Sequence, residues 1–302
     1  MCVIDKSIYV IPLGQISDIK VGLQTGDNPS YLYKDPDALG SYRIVDHSKI
    51  LSLDQLEKIS NNEELRCKII NNGISNDLFE GKTIVPYDKG GSSDIEEGML
   101  SNYYSPTKFY IDWSEKNVKR IKTLTVRDRK RSEGQKNITE SEEDKIASRF
   151  QNIEYYFKRG ITISVRGLYS PTCRLNSCSI FDVMGSCLFN KYLSDEYVLG
   201  ILCSRFCKYM INCYLNNSVA VEVEDLKKIP IVMNNKLNKK IIEDFVKKII
   251  KKQHKDTDYN YRDNEQLEID ETVYDMYGLD TELIQECEDW YHRRYPKLVL
   301  NY

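Results

Sequence analysis

The sequence predicts an α+β fold: a mixed, strand-rich region with packed helices over residues 1–235, then a small helical tail over 236–302. Three observations predict it. Short β-branched and aromatic runs bounded by Gly, Pro and Asn fill the first two thirds. Apolar stripes at helical spacing begin only after Ser194. No internal repeat or low-complexity tract points to a solenoid or a fibre.

In order, residues 8–13, 42–45, 83–87 and 108–113 read as short strands. Turn-rich stretches such as Asn71-Asn72-Gly73 and Asp88-Lys89-Gly90-Gly91-Ser92-Ser93 separate them, so that 8–160 reads as irregular mixed structure. Residues 161–165 and 179–183 read as two strands of one sheet. Ser194 and Asp195 can then cap a helix whose face is Tyr197, Val198, Ile201, Leu202, Phe206, Tyr209 and Met210. Residues 219–223 read as a short strand, and 225–230 as a helical turn stopped by Pro230. Over 239–252, Ile241, Ile242, Phe245, Val246, Ile249 and Ile250 form one stripe with lysines opposite. Two short helices broken at Gly278 follow, the second with Asp280 and Thr281 available as caps.

With 302 residues the chain can bury a substantial core, and 41% hydrophobic with 29% charged residues is the balance of a globular protein. No apolar run reaches the roughly 18 residues of a membrane span, and Met1-Cys2-Val3-Ile4-Asp5 is not a basic-then-apolar leader. A cytoplasmic protein with no membrane partner is expected. The nine cysteines include no C-x-x-C, and His47, His254 and His292 lie far apart, so reduced core thiols and no metal site are expected. Net charge is only -3, yet Lys116, Lys119, Arg120, Lys122, Arg127, Arg129, Lys130, Arg131 and Lys136 face only Asp128 and Glu133 within their stretch. That tract reads either as phosphate contacts or as a solvated loop balanced by Glu140, Glu142, Glu143 and Asp144.

No catalytic signature is complete. Asn28-Pro29-Ser30-Tyr31 lacks the second proline of an amino-methylating loop and has no glycine-rich cofactor turn before it. Pro36-Asp37 is followed by Glu57-Lys58 without the residue a nuclease motif inserts between them. G-x-S-x-G, Walker and H-E-x-x-H patterns do not occur. No catalytic residue and no cofactor are therefore expected on this chain.

A series of segments instead carries a resemblance. Gly22-Leu23-Gln24-Thr25-Gly26-Asp27-Asn28, Pro86-Tyr87-Asp88-Lys89-Gly90-Gly91, Tyr110-Ile111-Asp112-Trp113 and Tyr156-Phe157-Lys158-Arg159-Gly160-Ile161-Thr162-Ile163-Ser164 come first. Ile180-Phe181-Asp182-Val183-Met184-Gly185-Ser186, Val198-Leu199-Gly200-Ile201-Leu202-Cys203-Ser204, residues 223–230 and residues 269–279 follow in the same order. Together they resemble the TaqI-like C-terminal specificity domain, the target-recognition part of adenine-specific DNA methyltransferases and fused restriction-modification enzymes, including the BREX phage-defence methyltransferase. Ile163 stands where the family places a tryptophan, and residues 171–175 are only loosely similar.

The resemblance implies a target-recognition domain that binds a short double-stranded DNA sequence and presents an adenine to a methyltransferase catalytic domain or subunit. That partner would flip the base and methylate its exocyclic amine with S-adenosylmethionine. Family members carry the catalytic domain before this region, and Met1 lies about 20 residues before the first motif, so it is expected to be missing or on a partner chain. Expected phosphate and backbone contacts are Gly22, Gln24, Thr25, Gly26 and Asn28 on the first turn, Lys89, Gly90 and Gly91 on the second, and Arg127, Arg129, Lys130, Arg131 and Lys158. Plain structural turns are the alternative for both glycine segments. Gln151, Asn152, Arg166 and Arg174 are the expected base readers, with a surface salt bridge as the other use of an arginine. Tyr155 and Tyr156 read as stacking platforms or as core. Two further readings remain: a specificity subunit of a type I restriction system, and a non-catalytic defence interaction module.

Overall fold

The computed structural model of the protein describes residues 8–90, 101–134, 145–218, 220–233 and 235–299. In chain order its strands are β1 (Val10–Pro12), β2 (Ser17–Lys20), β3 (Leu32–Lys34), β4 (Arg43–Ile44), β5 (Ile84–Asp88), β6 (Phe109–Asp112), β7 (Ile161–Ser164), β8 (Thr172–Leu175), β9 (Ile180–Phe181), β10 (Gly185–Asn190) and β11 (Pro230–Val232). β1 and β11 pair alone, antiparallel. An antiparallel sheet runs β2-β10-β7-β8, and a mixed sheet runs β4-β3-β6-β5-β9, with its two edge strands parallel to their neighbours. With its helices in runs of their own and its C-terminal segment helical, the fold is α+β.

The expected pairing of 161–165 with 179–183 does not form. β7 lies between β10 and β8, whereas β9 joins the other sheet beside β5. The three residues after β9 carry the chain across: Asp182 accepts from the backbone N–H groups of Met184 (2.8 Å) and Gly185 (3.2 Å), and β10 starts at once.

Helices also appear where irregular structure is expected. Ser52 and Gln55 form a reciprocal capping box that starts the helix Leu53–Asn61, and Asn62 caps the helix Glu63–Asn72 that follows. Gly73, at φ 88°, ends it. Leu56, Ile59, Ile69 and Ile70, with Val118 and Ile121 of the helix Glu115–Thr123, bury against Trp113, Tyr156, Phe157 and Phe181. Trp113 is fully buried, and its indole N–H donates to the Ile69 carbonyl at 3.0 Å.

The expected single helix after Ser194 is two, Asp195–Cys203 and Arg205–Met210. Ser194 does not cap the first; its hydroxyl donates to Glu243. Ser204 is extended, and its hydroxyl caps the second through the Cys207 N–H at 3.1 Å. The strand expected over 219–223 reduces to a bridge between Ala220 and Arg166, because Val223 already opens the helix Val223–Leu226; Val219 lies outside the described residues. The striped helix spans Lys236–Gln253, capped by Asn235, and the last two long helices are Glu265–Met276 and Thr281–Arg294, with Gly278 at φ 63° between them and Asp280 capping the second.

These C-terminal helices share a core with the antiparallel sheet. Ile242, Val246, Ile249, Ile269 and Val273 pack with Ile19, Ile161, Leu188 and the helix Asp195–Cys203. Gly200 is what allows the close approach: a Cβ there would sit 2.3 Å from Cγ2 of Ile242. Among the described residues no helix is long and apolar enough to cross a membrane, no group of three or more His, Cys, Asp or Glu could hold a metal, and the eight described cysteines are free.

Ile242→Ala is expected to lower stability by about 2–5 kcal/mol, because a fully buried side chain leaves a cavity between helices. A fall in the urea midpoint measures it; an unchanged midpoint would contradict this packing. Asp270 gives a second expectation. Burial pushes its carboxyl up to about 7, against the pull of Arg205, whose N–H donates to it at 2.8 Å. The folded value lies above the unfolded 3.8, so this stability is complete below pH 3.8 and is lost as pH rises through about 7. Stability curves of wild type and Asp270→Asn should diverge over that window; parallel curves would overturn the assignment.

Candidate nucleic-acid interface

The glycine turn after β2 is a packed structural element. The Leu23 N–H donates to the Phe181 carbonyl at 2.8 Å and the Gly22 N–H to the Asp182 carbonyl at 3.3 Å, so the turn lies along the end of β9. Only glycine fits at 22, since a Cβ there would be 1.8 Å from the Phe181 carbonyl oxygen. Gln24 and Arg149 exchange backbone hydrogen bonds of 3.2 and 2.8 Å. Gly26 needs its positive φ of 77° to pass Ala147, whose carbonyl oxygen would be 2.4 Å from a Cβ. Thr25 is fully buried; its hydroxyl bonds the Asn28 side chain and accepts from the Asp27 N–H at 3.2 Å. Asp27 in turn caps the one-turn helix Asn28–Tyr31. Tyr31 is fully buried there, which removes the Asn28-Pro29-Ser30-Tyr31 segment from any base-stacking role.

Three side chains from elsewhere close on the turn's carbonyls. Gln151 Nε2 donates to Gly22 at 2.9 Å, Asn152 Nδ2 to Val21 at 2.9 Å, and Arg129 Nη1 to Gly26 at 3.1 Å. Arg129 belongs to the helix Val126–Ser132, which also carries Arg127, Lys130 and Arg131. Backbone bonds from Val126 to Lys145 (2.7 Å) and from Ala147 to Leu124 (2.8 Å) form a stem beneath that helix. The returning strand of the stem is the one that pairs with Gln24. One unit therefore unites the turn, the basic helix and the segment 145–152.

Several expectations are corrected by this geometry. The N–H of Gly22 is spent inside the protein, so this glycine serves the turn's packing instead of approaching a phosphate. Gln151 and Asn152 each spend one amide N–H on a carbonyl of the turn, which breaks the bidentate pattern a base reader needs. Arg174 is 4% exposed, pairs with Asp88 at 2.5 Å and donates to the Ser164 hydroxyl at 3.0 Å; it is a buried ionic strut between the two sheets. Arg166 is exposed beyond the end of β7, in the bridge to Ala220.

The second glycine segment is likewise structural. The Lys89 ammonium donates to the Tyr42 hydroxyl at 2.7 Å and lies 4.5 and 5.0 Å from the rings of Tyr42 and Phe109. Gly90, at φ 80°, is buried against Met184, and its carbonyl accepts from Arg174 and Ser164. Gly91 lies outside the described residues, as do Lys136 and the acidic run of 140–144.

Lys158 and Lys20 both place their ammonium groups about the ring of Tyr155, at 5.2 and 5.3 Å. That ring packs on Phe189, with centroids 4.6 Å apart, and its hydroxyl donates to Asp18 at 2.9 Å. Burial alone would raise the Asp18 carboxyl, but hydrogen bonds from Lys191 and Tyr155 outweigh it and hold the group low. Tyr156 is fully buried in the aromatic core, with no face left for a base.

The structure thus gathers Gly22, Gln24, Thr25, Gly26, Asn28, Arg129, Gln151 and Asn152 into one platform and adds Arg127, Lys130 and Arg131 through their helix. Gly90 and Arg174 are bound up in the contact between the sheets, and Lys89 is held against Tyr42 and Phe109 beside the mixed sheet. Two cations escape sequence reasoning. Arg149 is exposed beside exposed Gln24, and Lys20 ends β2 just before the turn. For Arg149 the available signal is its place directly before Phe150-Gln151-Asn152. The platform offers cationic and amide side chains on a rigid support; it offers no paired nucleophile and base.

Compared with known proteins, the chain matches no family model and no curated protein.

Gly22→Ala is expected to destabilise the protein by about 1–3 kcal/mol or more, because a backbone carbonyl must move to admit the methyl group. Thermal unfolding measures this. A melting temperature equal to wild type would show that the turn is loosely held.

Proposed function

We propose that this chain binds double-stranded DNA as the specificity part of an adenine-specific DNA methyltransferase, with the chemistry supplied by a catalytic domain or subunit using S-adenosylmethionine. One observation supports the reading above the rest. Arg129 fastens a four-cation helix to the glycine turn that opens the resemblance to the TaqI-like specificity domain. Phosphate recognition needs several cations held in fixed register, and a helix tied to a packed turn supplies that.

In this reading Arg127, Lys130 and Arg131, with Lys20 and Lys158, neutralise phosphates, and Arg129 positions their helix. Gln24 and Arg149, exposed side by side, take over base readout from the inward-turned Gln151 and Asn152; an amide suits adenine and a guanidinium suits guanine. The catalytic partner flips the adenine so that its amine reaches the methyl donor.

Fluorescence anisotropy with a library of short duplexes across a salt series tests this. Affinity should fall steeply with salt, and Arg127→Ala, Lys130→Ala and Arg131→Ala together should reduce the log–log slope by about 0.9 for each phosphate no longer neutralised. Gln24→Ala or Arg149→Ala should narrow the gap between best and mismatched sites by about 1–3 kcal/mol. Adding the chain to a catalytic partner should give adenine methylation at one site class. Weak, salt-insensitive binding would overturn the reading in favour of an interaction module, and a bipartite site split by a fixed spacer would favour a type I specificity subunit.

A further inference from the structure

The helical half encloses a cavity of about 220 Å³ that DNA binding does not use. Its mouth is exposed at Asp263, Leu267 and His292, and its floor is formed by Thr172, Cys203, Lys208 and Tyr261, each less than a tenth exposed. It therefore has a way in and a buried end.

Lys208 is held from behind. Its Nζ donates to the Tyr169 carbonyl at 2.8 Å and the Pro171 carbonyl at 2.9 Å, and 5.5 Å away lies the ring of Tyr295. An ammonium has three donors, so one remains. Among the described residues no carboxylate forms an ion pair with it, although a buried cation without a counter-charge is costly. The acids of the cavity wall are engaged elsewhere: Glu288 takes Arg205 and the Tyr274 hydroxyl, and Asp263 accepts from Asn260 at 2.6 Å. Burial accordingly pulls the Lys208 ammonium below its ordinary value.

A second observation is independent of charge. Thr172 and Tyr261 line the same cavity, and the hydroxyl of each is buried with no hydrogen-bond partner among the described residues. Leaving such a group unpaired is costly, because its desolvation is not repaid by a bond. Residues with two orphan hydroxyls and one spare ammonium proton thus line a single cavity; of its two arginines, Arg205 already has its acids and Arg262 lies 5.1 Å from the Tyr261 ring, adding positive charge beside the same floor. An acceptor that carries negative charge satisfies all three.

We propose that this cavity binds a small oxyanion-bearing molecule, a phosphate or carboxylate compound, through Lys208, Thr172 and Tyr261. At about 220 Å³ the cavity lies below the 300 Å³ or so where drug-sized sites begin, which suits a small organic acid or a phosphate.

Calorimetric titration of the full chain with sodium phosphate and, separately, sodium succinate, each at ionic strength matched with sodium chloride, tests the proposal. One-to-one binding of at least one is expected, and the tighter of the two identifies the group recognised. Affinity should fall at least tenfold in Lys208→Met and at least threefold in Tyr261→Phe and Thr172→Val, and stay unchanged in Arg131→Ala on the DNA-facing helix. If Lys208→Met does not fold by circular dichroism, the two hydroxyl variants decide. No binding beyond chloride, or equal binding in the folded floor variants, would overturn the proposal and leave the cavity to water; loss in Arg131→Ala would place the anion on the DNA face. Because the cavity variants leave the platform intact, failure here is separate from failure of the DNA reading.

Discussion

The structure turns on two chain crossings that lie side by side. β2 and β10 belong to the antiparallel sheet, β3 and β9 to the mixed one, so two of the chain's four passages between these sheets run through the Gly22–Asn28 turn and through 182–184. The two crossings are bonded to each other: Gly22 and Leu23 donate to Asp182 and Phe181, and the Tyr87 hydroxyl bridges the Leu23 carbonyl (3.2 Å) and the Asp182 carboxylate (2.8 Å). No side chain fits between the strands there, which is why a glycine stands at 22. Burial raises the Asp182 carboxyl, and burial together with the facing Asp182 carboxylate raises the Tyr87 hydroxyl, which keeps its proton as the donor of this bond.

From this junction the placement of the candidate interface follows. A turn pinned on one side by β9 has its other side open, and the segment 145–152 pairs along that side through Arg149. Gln151, Asn152 and Arg129 satisfy carbonyls that would otherwise be orphaned near the junction, which is a structural need that exists with or without a ligand. Arg174 meets a similar need on the far side, where β8 approaches β5 and Asp88 would be a part-buried carboxylate with the Gly90 N–H but no counter-charge.

Legibility from sequence divides along this same line. The helix Lys236–Gln253 was readable because its apolar residues repeat on one face and its polar face meets water, so the pattern alone determines the element. The helices at 53–72 were less so: their apolar residues are sparse, and their start signal, Ser52 with Gln55, is a short cue among many serines and asparagines. The glycine turn was recognisable, but the inward commitment of Gln151, Asn152 and Arg174 was not, because each partner lies 10 to 131 positions away. A polar side chain looks the same in sequence whether it faces a groove or a buried carbonyl.

The break at Ser204 shows how such a local departure builds the other half of the molecule. In an unbroken helix the Arg205 N–H would donate to Ile201; here the Ser204 N–H takes that carbonyl at 3.1 Å, and Arg205 is free to donate to Asp270 at 2.8 Å. Without that donor the fully buried Asp270 would depend on Arg205's side chain and Gln266 alone. The same break restarts the helix so that Lys208 reaches the carbonyls of Tyr169 and Pro171 across the cavity floor. The apolar spacing from Tyr197 to Met210 does not betray it, since both halves keep their apolar residues inward. A small polar residue in the middle of a buried stripe, able to cap the helix that starts after it, is the only mark the sequence carries.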